Sequence, residues 1–256
     1  MRITFLGTGT SQGIPVIGCR CKTCLSQNTK DQRLRCSIHV EHPEFSFIVD
    51  TGPDFRTQVL LNNIEKLDFI LLTHEHNDHT AGLDDIRPFN YMQKKPIKVI
   101  GLRRVLDDVR RRFAYAFESD PYPGAPKIEL IEADFEKNIR LNESAAEIIP
   151  IQVMHGKMEV LGFRLENFAY MTDMLYISES EFDKIAGVDV AVISMLHREP
   201  HHAHMNWDQA LQFAEKLKAK KTYLVHMSHR LGPLHTWENC LPSGVYAAYD
   251  GLQINI

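Results

Sequence analysis

An α/β fold is predicted by three features of this sequence. Short apolar runs of strand length, such as residues 69–72, alternate with amphipathic helical stretches, such as 102–113. Histidine or aspartate follows several of these runs directly, as at the ends of the strands of an α/β sheet. A length of 256 residues with 44% hydrophobic residues allows one large domain or two small ones, with ample material for a core.

Composition and charge exclude some classes of function. The formal net charge of −4 at pH 7 argues against a nucleic-acid module, since such domains are usually basic. No stretch approaches 18 apolar residues, so we expect no membrane span, and the apolar run at residues 3–6 is too short for a signal peptide. These observations predict a soluble, cytoplasmic protein.

The first predicted elements are a strand at residues 2–6 and a glycine-containing loop at 7–13. A Gly-x-Gly with no second pair is weak evidence for a phosphate cradle, so we expect these glycines to allow tight backbone packing. A hairpin is predicted for 37–41 and 45–50, and an acidic turn then starts a helix at Pro53 or a neighbour.

Two acidic residues in that turn have open roles. Asp50 and Asp54 could orient metal-bound histidines from behind, or they could cap the following helix. The sequence favours neither role.

The middle of the chain contains an arginine-rich helix and an aromatic loop. Within the helix predicted over 102–113, the run of arginines at 110–112 is interpreted as a solvated face and not as an RNA-binding patch. The loop at 114–126 has two Tyr, one Phe and three Pro, and it is either a substrate lid or a packed surface excursion.

The remaining elements are predicted from apolar runs, turn residues and caps. Asn206, followed three residues later by Gln209, forms a capping-box pattern that starts a helix. The other expected elements are a short helix beginning within 81–90, a strand at 97–100, several strand-like runs within 128–172 (notably 147–154 and 167–171), strands at 188–193 and 222–225, and two short strands within 246–256.

The densest cluster of candidate metal ligands follows the strand predicted at 69–72 and reads His74-Glu75-His76-Asn77-Asp78-His79. Alternate residues of an extended chain point the same way, so His74 and His76 can bind one ion together. After a turn, Asp78 and His79 can face a second ion about 3.5 to 4 Å from the first. The motif therefore predicts a dinuclear metal site.

Three later strand ends repeat this arrangement. His155, Asp173 and His226 each follow an apolar strand-like run, and His197, His201, His202 and His204 occupy the polar loop after the strand at 188–193. A single histidine at a strand end is usually structural, but four strand ends with His or Asp are better explained by convergence on one site.

Three of the five cysteines are closely spaced. Cys19, Cys21 and Cys24 form a Cys-x-Cys-x2-Cys pattern, which in a cytosolic chain indicates a metal site before a disulfide. Structural zinc needs four ligands, and the spacing leaves the fourth open, with Cys36, His39 and His229 among the possibilities. Cys36 and Cys240 are otherwise expected to be buried thiols.

The ordered set of these candidates resembles the metallo-β-lactamase fold of dinuclear metal hydrolases, from the first strand to the last. The resemblance implies a single domain over residues 1–256, an αβ/βα sandwich of two mixed sheets flanked by helices, with its site along one edge. It also implies that His74, His76 and His155 bind one ion, that Asp78, His79 and His226 bind the other, and that Asp173 bridges them. Imidazole and carboxylate ligands suit Zn, Mn or Fe.

Within that superfamily the chain is similar to the phosphoribosyl 1,2-cyclic phosphate phosphodiesterases of bacterial phosphonate breakdown. The resemblance rests on Cys19-x-Cys21-x2-Cys24 together with His226-x2-His229, and it implies a structural zinc held by these cysteines and His229, in a loop at about 19–36. It places the group's catalytic histidine at His204, although His201 and His202 are close alternatives, and it suggests a homodimer.

The predicted function is therefore hydrolysis of a small phosphodiester, with two active-site ions, Mn or Zn, and one structural Zn as cofactors. Water held between two ions becomes hydroxide near neutral pH, and His204, working with Asp78, is the candidate acid for the leaving group. The alternatives are an RNA or cyclic-nucleotide phosphodiesterase, a glyoxalase-type thioesterase or lactonase, and a non-catalytic metal-binding protein of cofactor biosynthesis. We expect the substrate pocket to be formed by residues 114–126, residues 197–205 and Arg87.

Overall fold

Two seven-stranded sheets form the centre of the molecule, in a computed structural model that describes residues 1–141 and 145–256. The predicted strand-like stretch 128–172 thus includes three residues, 142–144, that lie outside the described ones. The strands are β1 (Arg2–Gly7), β2 (Ser37–Glu41), β3 (Ser46–Val49), β4 (Phe69–Leu71), β5 (Ile97–Gly101), β6 (Ile128–Glu132), β7 (Ile148–His155), β8 (Met158–Leu165), β9 (Phe168–Met171), β10 (Tyr176–Ile177), β11 (Val190–Ser194), β12 (Lys221–Val225), β13 (Val245–Ala247) and β14 (Gln253–Asn255).

The α-helices are short. They are α1 (Phe55–Leu61), α2 (Asn77–Thr80), α3 (Arg87–Gln93), α4 (Arg103–Arg112), α5 (Glu179–Ile185) and α6 (Trp207–Leu217). Among the described residues, none of the helices has the length and apolar character needed to cross a membrane.

Both sheets are mixed. The first has the strand order β14-β1-β2-β3-β4-β5-β6, antiparallel from β14 to β3 and parallel from β3 to β6. The second has the order β10-β7-β8-β9-β11-β12-β13, antiparallel up to β9 and parallel beyond it. Because the carboxyl ends of parallel strands share one edge, side chains that follow β4, or β9 and β12, are brought to the edges of their sheets.

Apolar side chains between the sheets and under the helices hold the layers together. Phe47 of the first sheet packs edge-on against Phe163 of the second, with ring centroids 5.7 Å apart. On the outer faces, Val105 and Val109 of α4 and Ala210 of α6 are fully buried. Helices thus cover both sheets, which confirms the predicted four-layer αβ/βα sandwich.

Most predicted elements are present, and the exceptions have local causes. The predicted capping box is formed, since Asn206 accepts from the Gln209 amide and the Gln209 side chain accepts from Asn206. The helix expected within 81–90 is instead a 3₁₀ turn (Leu83–Ile86) followed directly by α3, which has a proline in its first turn. The last two strands do not pair with each other, because β13 joins β12 while β14 crosses to β1.

One expectation about individual side chains was wrong, and another holds only in part. Cys36 is buried as expected, but Cys240 is exposed, because it ends a 3₁₀ turn (Glu238–Cys240) whose residues are not buried. Arg110 and Arg111 are exposed and pair with acids of their own helix, whereas Arg112 is only partly exposed and hydrogen-bonds to Thr80 beside the histidine motif. The arginine run is therefore only partly a solvated face.

Candidate metal centre

The four predicted strand ends meet at one place, where the two sheets come together. The motif starting at His74 follows β4, and His155 is the last residue of β7. Asp173 follows β9, and His226 directly follows β12 with a φ of 59°. A left-handed conformation is uncommon for a residue other than glycine.

Asp173 lies at the centre of the cluster and contacts both halves of it. Its Oδ2 is 3.8 Å from His74 Nε2 and 3.4 Å from His79 Nε2, while its Oδ1 is 3.2 Å from His226 Nε2. The carboxylate is buried, which raises its pKa, but the charges of His226 and His79 outweigh burial and leave the pKa well below its usual value. Asp173 is therefore an anion that faces two groups of imidazoles.

Two groups of potential ligands meet at this carboxylate. One contains three histidines at the ends of β4 and β7, and the other contains Asp173 itself with a second carboxylate and two histidines, at the ends of β4, β9 and β12. Within each group the ligand atoms lie within 4.8 Å of one another. The groups are His74, His76 and His155, and Asp78, His79, Asp173 and His226. This division is the one that the resemblance implies.

The buried nitrogens of the second group indicate a cation. Among the described residues, His79 Nε2 and both ring nitrogens of His226 find no hydrogen-bond partner. His79 Nδ1 lies 2.6 Å from Asp50, which accepts its hydrogen, and His79 Nε2 lies 3.2 Å from Asp78 Oδ2. A cation at this point, either a proton or a metal ion, would satisfy these buried atoms, which are costly to leave without a partner. The residues present thus fit a metal ion.

In the first group, one face of the site is open. His74 is fully buried while His76 is exposed, and His74 Nε2 is 2.9 Å from His76 Nδ1. His155 Nδ1 lies 3.0 Å from the backbone oxygen of Ala203, which accepts its hydrogen and leaves Nε2 free to bind a metal. No sequence pattern predicts this carbonyl, which comes from a loop 48 residues away.

The structure separates the roles of the two acidic residues in the turn after β3. Asp50 is fully buried and accepts hydrogen bonds from His79, from the Thr73 amide and from the Thr73 hydroxyl. Burial lowers the pKa of His79, but Asp50 and Asp173 outweigh it and raise the pKa well above its usual value. Asp54 contacts Arg35 and makes no capping hydrogen bond. Asp50 alone therefore orients a candidate ligand.

Of the three clustered histidines, His204 lies nearest to the candidate ligands. Its ring centroid is 4.4 Å from that of His155 and 4.7 Å from that of His226, and its ligand atom is within 4.8 Å of those of His155 and Asp173. His201 is half-buried and His202 is exposed. Burial and the neighbouring His226 lower the pKa of His204 to about 2, so the imidazole is neutral before any substrate binds.

The three clustered cysteines meet His229, as the resemblance implies. His229 Nδ1 lies 3.3 Å from Cys19 Sγ and 3.5 Å from the Sγ atoms of Cys21 and Cys24. Burial raises the pKa of Cys21, but the Cys24 amide and His229 lower it to about 6. Cys36 and His39 take no part: Cys36 contacts Tyr170, and His39 contacts Ser46.

Glycines let the backbone close tightly around the site. A Cβ at Gly7 would lie 1.9 Å from the Arg35 carbonyl oxygen, which agrees with the tight packing expected for that loop. A Cβ at Gly52 would lie 2.1 Å from the Asp78 carbonyl oxygen, and one at Gly82 would lie 2.2 Å from the Gly52 oxygen. Larger residues at these positions would displace the turn that carries Asp78.

The aromatic loop predicted at 114–126 is anchored to the segment between α2 and α3. Tyr115 donates a hydrogen bond to Asp84, and Arg87 donates to the Tyr122 hydroxyl at 3.3 Å and also pairs with Asp84. Tyr122 remains half-exposed. These contacts favour the second of the two predicted roles, a surface loop that packs against the segment after the metal motif.

Comparisons with known proteins agree with this site. A model of the β-lactamase superfamily domain matches residues 46–227. Over 256 residues, the sequence is 35% identical to a protein of Porphyromonas gingivalis named octanoyltransferase, a match that covers 99% of this chain and 51% of that protein. The chain spans 36% to 51% of the length of the curated relatives it matches.

Two solved structures show the extent of the structural similarity. A diphosphatase from the PhnP family superposes with a TM-score of 0.91 at 36% identity, covering 100% of this chain and 97% of that one. Zn(2+)-bound PqqB from Methylobacterium extorquens has a TM-score of 0.79 at 18% identity, with 100% of both chains covered. The second likeness concerns the fold alone.

Proposed function

This chain belongs to the β-lactamase superfamily, and we propose that it is a hydrolase that uses two divalent metal ions to cleave a small phosphodiester. The family match and the similarity to the PhnP-family diphosphatase support a metal-dependent hydrolase. The observation that carries the dinuclear site is the placement of Asp173, whose two oxygens face different imidazoles within 3.2 to 3.8 Å.

His74, His76 and His155 would hold one ion, Asp78, His79 and His226 the other, and Asp173 would lie between them. Zn or Mn would be the metal, since both accept mixed imidazole and carboxylate ligands. When bound, two such ions supply a water of lowered pKa and neutralise the oxygens of a phosphodiester. Asp50 keeps the hydrogen of His79 on Nδ1, so that Nε2 stays available as a ligand.

We propose that His204, working with Asp78, gives a proton to the leaving oxygen. Its imidazole lies beside those of His155 and His226, next to both candidate ligand groups, so it is within the site where the leaving oxygen would be released. General acids of this kind contribute about 10² to 10⁴ in rate, and mostly where the leaving group is a poor one.

The substitution His204→Ala tests this role. We expect unchanged metal content, a large loss of turnover on an alkyl phosphodiester, and a much smaller loss on an activated aryl phosphodiester. His202→Ala is the matched control, since His202 is exposed in the same loop and should leave both rates near those of the unaltered protein. An equal loss on both substrates would remove His204 from the acid role.

We propose that Cys19, Cys21, Cys24 and His229 hold a structural zinc. The four ligand atoms form a closed set, and the near-neutral pKa of Cys21 favours the thiolate that zinc requires. A closed site with four protein ligands leaves no position for substrate, so its role is to stabilise the fold.

The substrate is proposed to be a small phosphodiester such as phosphoribosyl 1,2-cyclic phosphate. The PhnP-family structure is named as that of a diphosphatase. Diphosphate diesters therefore belong in the same test, since each of their phosphorus atoms also has two bridging oxygens. A turnover panel with Mn and Zn separately would compare ribose 1,2-cyclic phosphate, 2′,3′-cyclic nucleotides, a diphosphate diester, an aryl phosphodiester and an acyl thioester. Activity on the thioester alone would contradict a phosphodiesterase.

One observation favours a second candidate, an acyl thioester hydrolase. The chain matches about half of a protein named octanoyltransferase, over 99% of its own length. An octanoyl thioester in the panel separates the two proposals, since a thioesterase would release free thiol with the same metal requirement. The His204→Ala variant discriminates further, because a thiolate is a good leaving group and needs little help from an acid.

A further inference from the structure

The exposed ligand of the centre, His76, is held in part through its backbone. His74 and His79 are buried within the protein, whereas His76 and the following Asn77 are exposed. The His76 carbonyl accepts two hydrogen bonds, one from the His79 amide at 3.0 Å and one from the Thr80 hydroxyl at 2.9 Å. The position of this ligand therefore depends on what holds Thr80.

Thr80 is fully buried, and its hydroxyl is polarised by an arginine from another element. Arg112 Nη2 donates to Thr80 Oγ1 at 2.5 Å and lies 3.3 Å from the Glu75 carbonyl oxygen. Because Thr80 Oγ1 accepts from the guanidinium, its own hydrogen is available to the His76 carbonyl at 2.9 Å, which is nearer than the Glu75 carbonyl at 3.4 Å. A cationic donor strengthens both hydrogen bonds of such a chain.

The guanidinium itself is held from behind. Arg112 is the last residue of α4, and one turn earlier Asp108 contacts its Nε at 2.5 Å. Val105 and Val109 of the same helix are fully buried against the sheet. A relay of contacts thus runs from the packed helix through Asp108, Arg112 and Thr80 to the backbone of a metal ligand.

A second arginine of α4 contacts the same segment more weakly. Arg104 pairs with the Glu75 carboxylate and with the Glu159 backbone oxygen, and the side chains of Arg104 and Glu75 are 35% and 30% exposed. Half-exposed ion pairs contribute little, because water and salt screen them.

We propose that Arg112 and Thr80 are positioning residues for His76, which hold this exposed ligand in place by fixing the carbonyl groups of residues 75 and 76. The proposal rests on the proposed metal binding at His74, His76 and His155. It predicts that the two active-site ions depend unequally on α4. The His79 amide also bonds to the His76 carbonyl, but the His79 ring is held separately by Asp50, and His226 follows β12 in the other sheet.

Zinc affinities measured by competition with a chromogenic chelator test this inference. Arg112→Met and Thr80→Val should each weaken one active-site ion by about 10- to 100-fold, the usual cost of losing a partner behind a ligand, and leave the other ion and the cysteine cluster loaded. Arg112→Lys and Thr80→Ser, which retain a donor and a hydroxyl, should restore part of the affinity. Arg104→Met should weaken binding by at most about fivefold.

Arg110→Met is the matched control, since Arg110 is exposed on the same helical turn and pairs only with Asp107 among the described residues. A double-mutant cycle identifies the residue through which Arg112 acts. In a His76→Ala background, Arg112→Met should cause no further loss of zinc affinity, because the ligand it positions is already absent.

The alternative outcomes are distinct. Equal weakening of both ions, together with a matching loss of stability of the metal-free protein, would mean that Arg112 is only structural and would overturn the inference. Unchanged affinity in Arg112→Met and Thr80→Val would overturn it as well. If the unaltered protein binds no ion at the histidine cluster, the proposed function fails first, and the inference fails with it.

Discussion

The candidate dinuclear centre takes its seven ligands from four strand ends in both sheets, whereas the cysteine cluster takes three of its four ligands from one stretch of six residues. The first is mostly buried and surrounded by hydrogen-bond partners such as Asp50 and Ala203. The second lies near the surface, with Cys19, Cys21 and Cys24 all partly exposed. The candidate dinuclear centre thus depends on the whole fold, whereas the cysteine cluster depends almost entirely on one short segment of the chain.

The two sites meet in one short segment. His226 is a candidate ligand of the proposed dinuclear centre and His229 lies in the cysteine cluster, and Ser228 between them is buried and donates its amide hydrogen to the Leu196 carbonyl. A metal ion bound at the cysteine cluster would therefore restrain the segment that also carries His226. If the two sites have these different roles, substitutions in the dinuclear centre should abolish activity, while substitutions in the cysteine cluster should chiefly lower the stability of the fold.

The largest effect is expected for Asp173→Asn. An amide retains the shape of the carboxylate but removes the charge that faces both groups of imidazoles. We expect loss of both active-site ions and a fall in turnover beyond the about 10- to 100-fold that removal of an outer partner costs. Elemental analysis per chain and steady-state rates would measure this, with the exposed Asn77→Ala as control. Retention of both ions would contradict a bridging role.

A smaller loss is expected for Asp50→Asn. The amide can still bond to Thr73, but it no longer holds the charge that keeps the hydrogen of His79 on Nδ1. Metal affinity at the second ion should fall by about 10- to 100-fold, measurable by chelator competition. Asp54→Asn is the matched control from the same turn, because Asp54 contacts Arg35. Similar behaviour of the two variants would show that orientation of His79 does not depend on Asp50.

Cys21→Ser should separate stability from catalysis. We expect one zinc fewer per chain and a lower midpoint of thermal unfolding, with both active-site ions retained and turnover reduced by less than about tenfold. Cys240→Ser provides the control, since that thiol is exposed and lies outside the cluster. Unchanged zinc content in Cys21→Ser would argue against a structural zinc.

The smallest effect concerns pH and the metal-free protein. The pKa of Cys21 is lowered from 9.0 to about 6 in the folded state, so between these values the unfolded chain binds more protons and stability should rise with pH. Burial raises the pKa of Cys24 to about 11, so stability should fall between about pH 9 and 11. Because Cys21 is partly exposed, the change should stay below about 1 kcal/mol.

Urea unfolding of chelator-treated protein at pH 6, 7.5 and 9 would measure the rise. Cys21→Ser should remove it, while Cys240→Ser should leave it in place. A rise that persists in Cys21→Ser would assign the pH dependence to another group.

Local patterns in the sequence predicted much of the fold and of the site. The apolar runs placed β4 and β12, and the Asn206 and Gln209 pair placed the start of α6, because burial and capping act over a few residues. Where the outcome depended on distant partners, the sequence left it open or misled. It could not distinguish the role of Asp50 from that of Asp54. It also did not predict that the helix expected within 81–90 is a 3₁₀ turn followed by α3, or that the last two strands join different sheets.

The amino-acid sequence by itself determined which side chains are available as ligands and that those of the candidate dinuclear centre lie at or after strand ends, since these depend on composition and short spacing. The tertiary structure decided how they are used. It turned the Asp173 oxygens toward different imidazoles, brought His229 to cysteines more than 200 residues away, and laid Arg112 behind the histidine motif. Such contacts join residues far apart in the chain, and only the packing of the two sheets and their helices sets those distances.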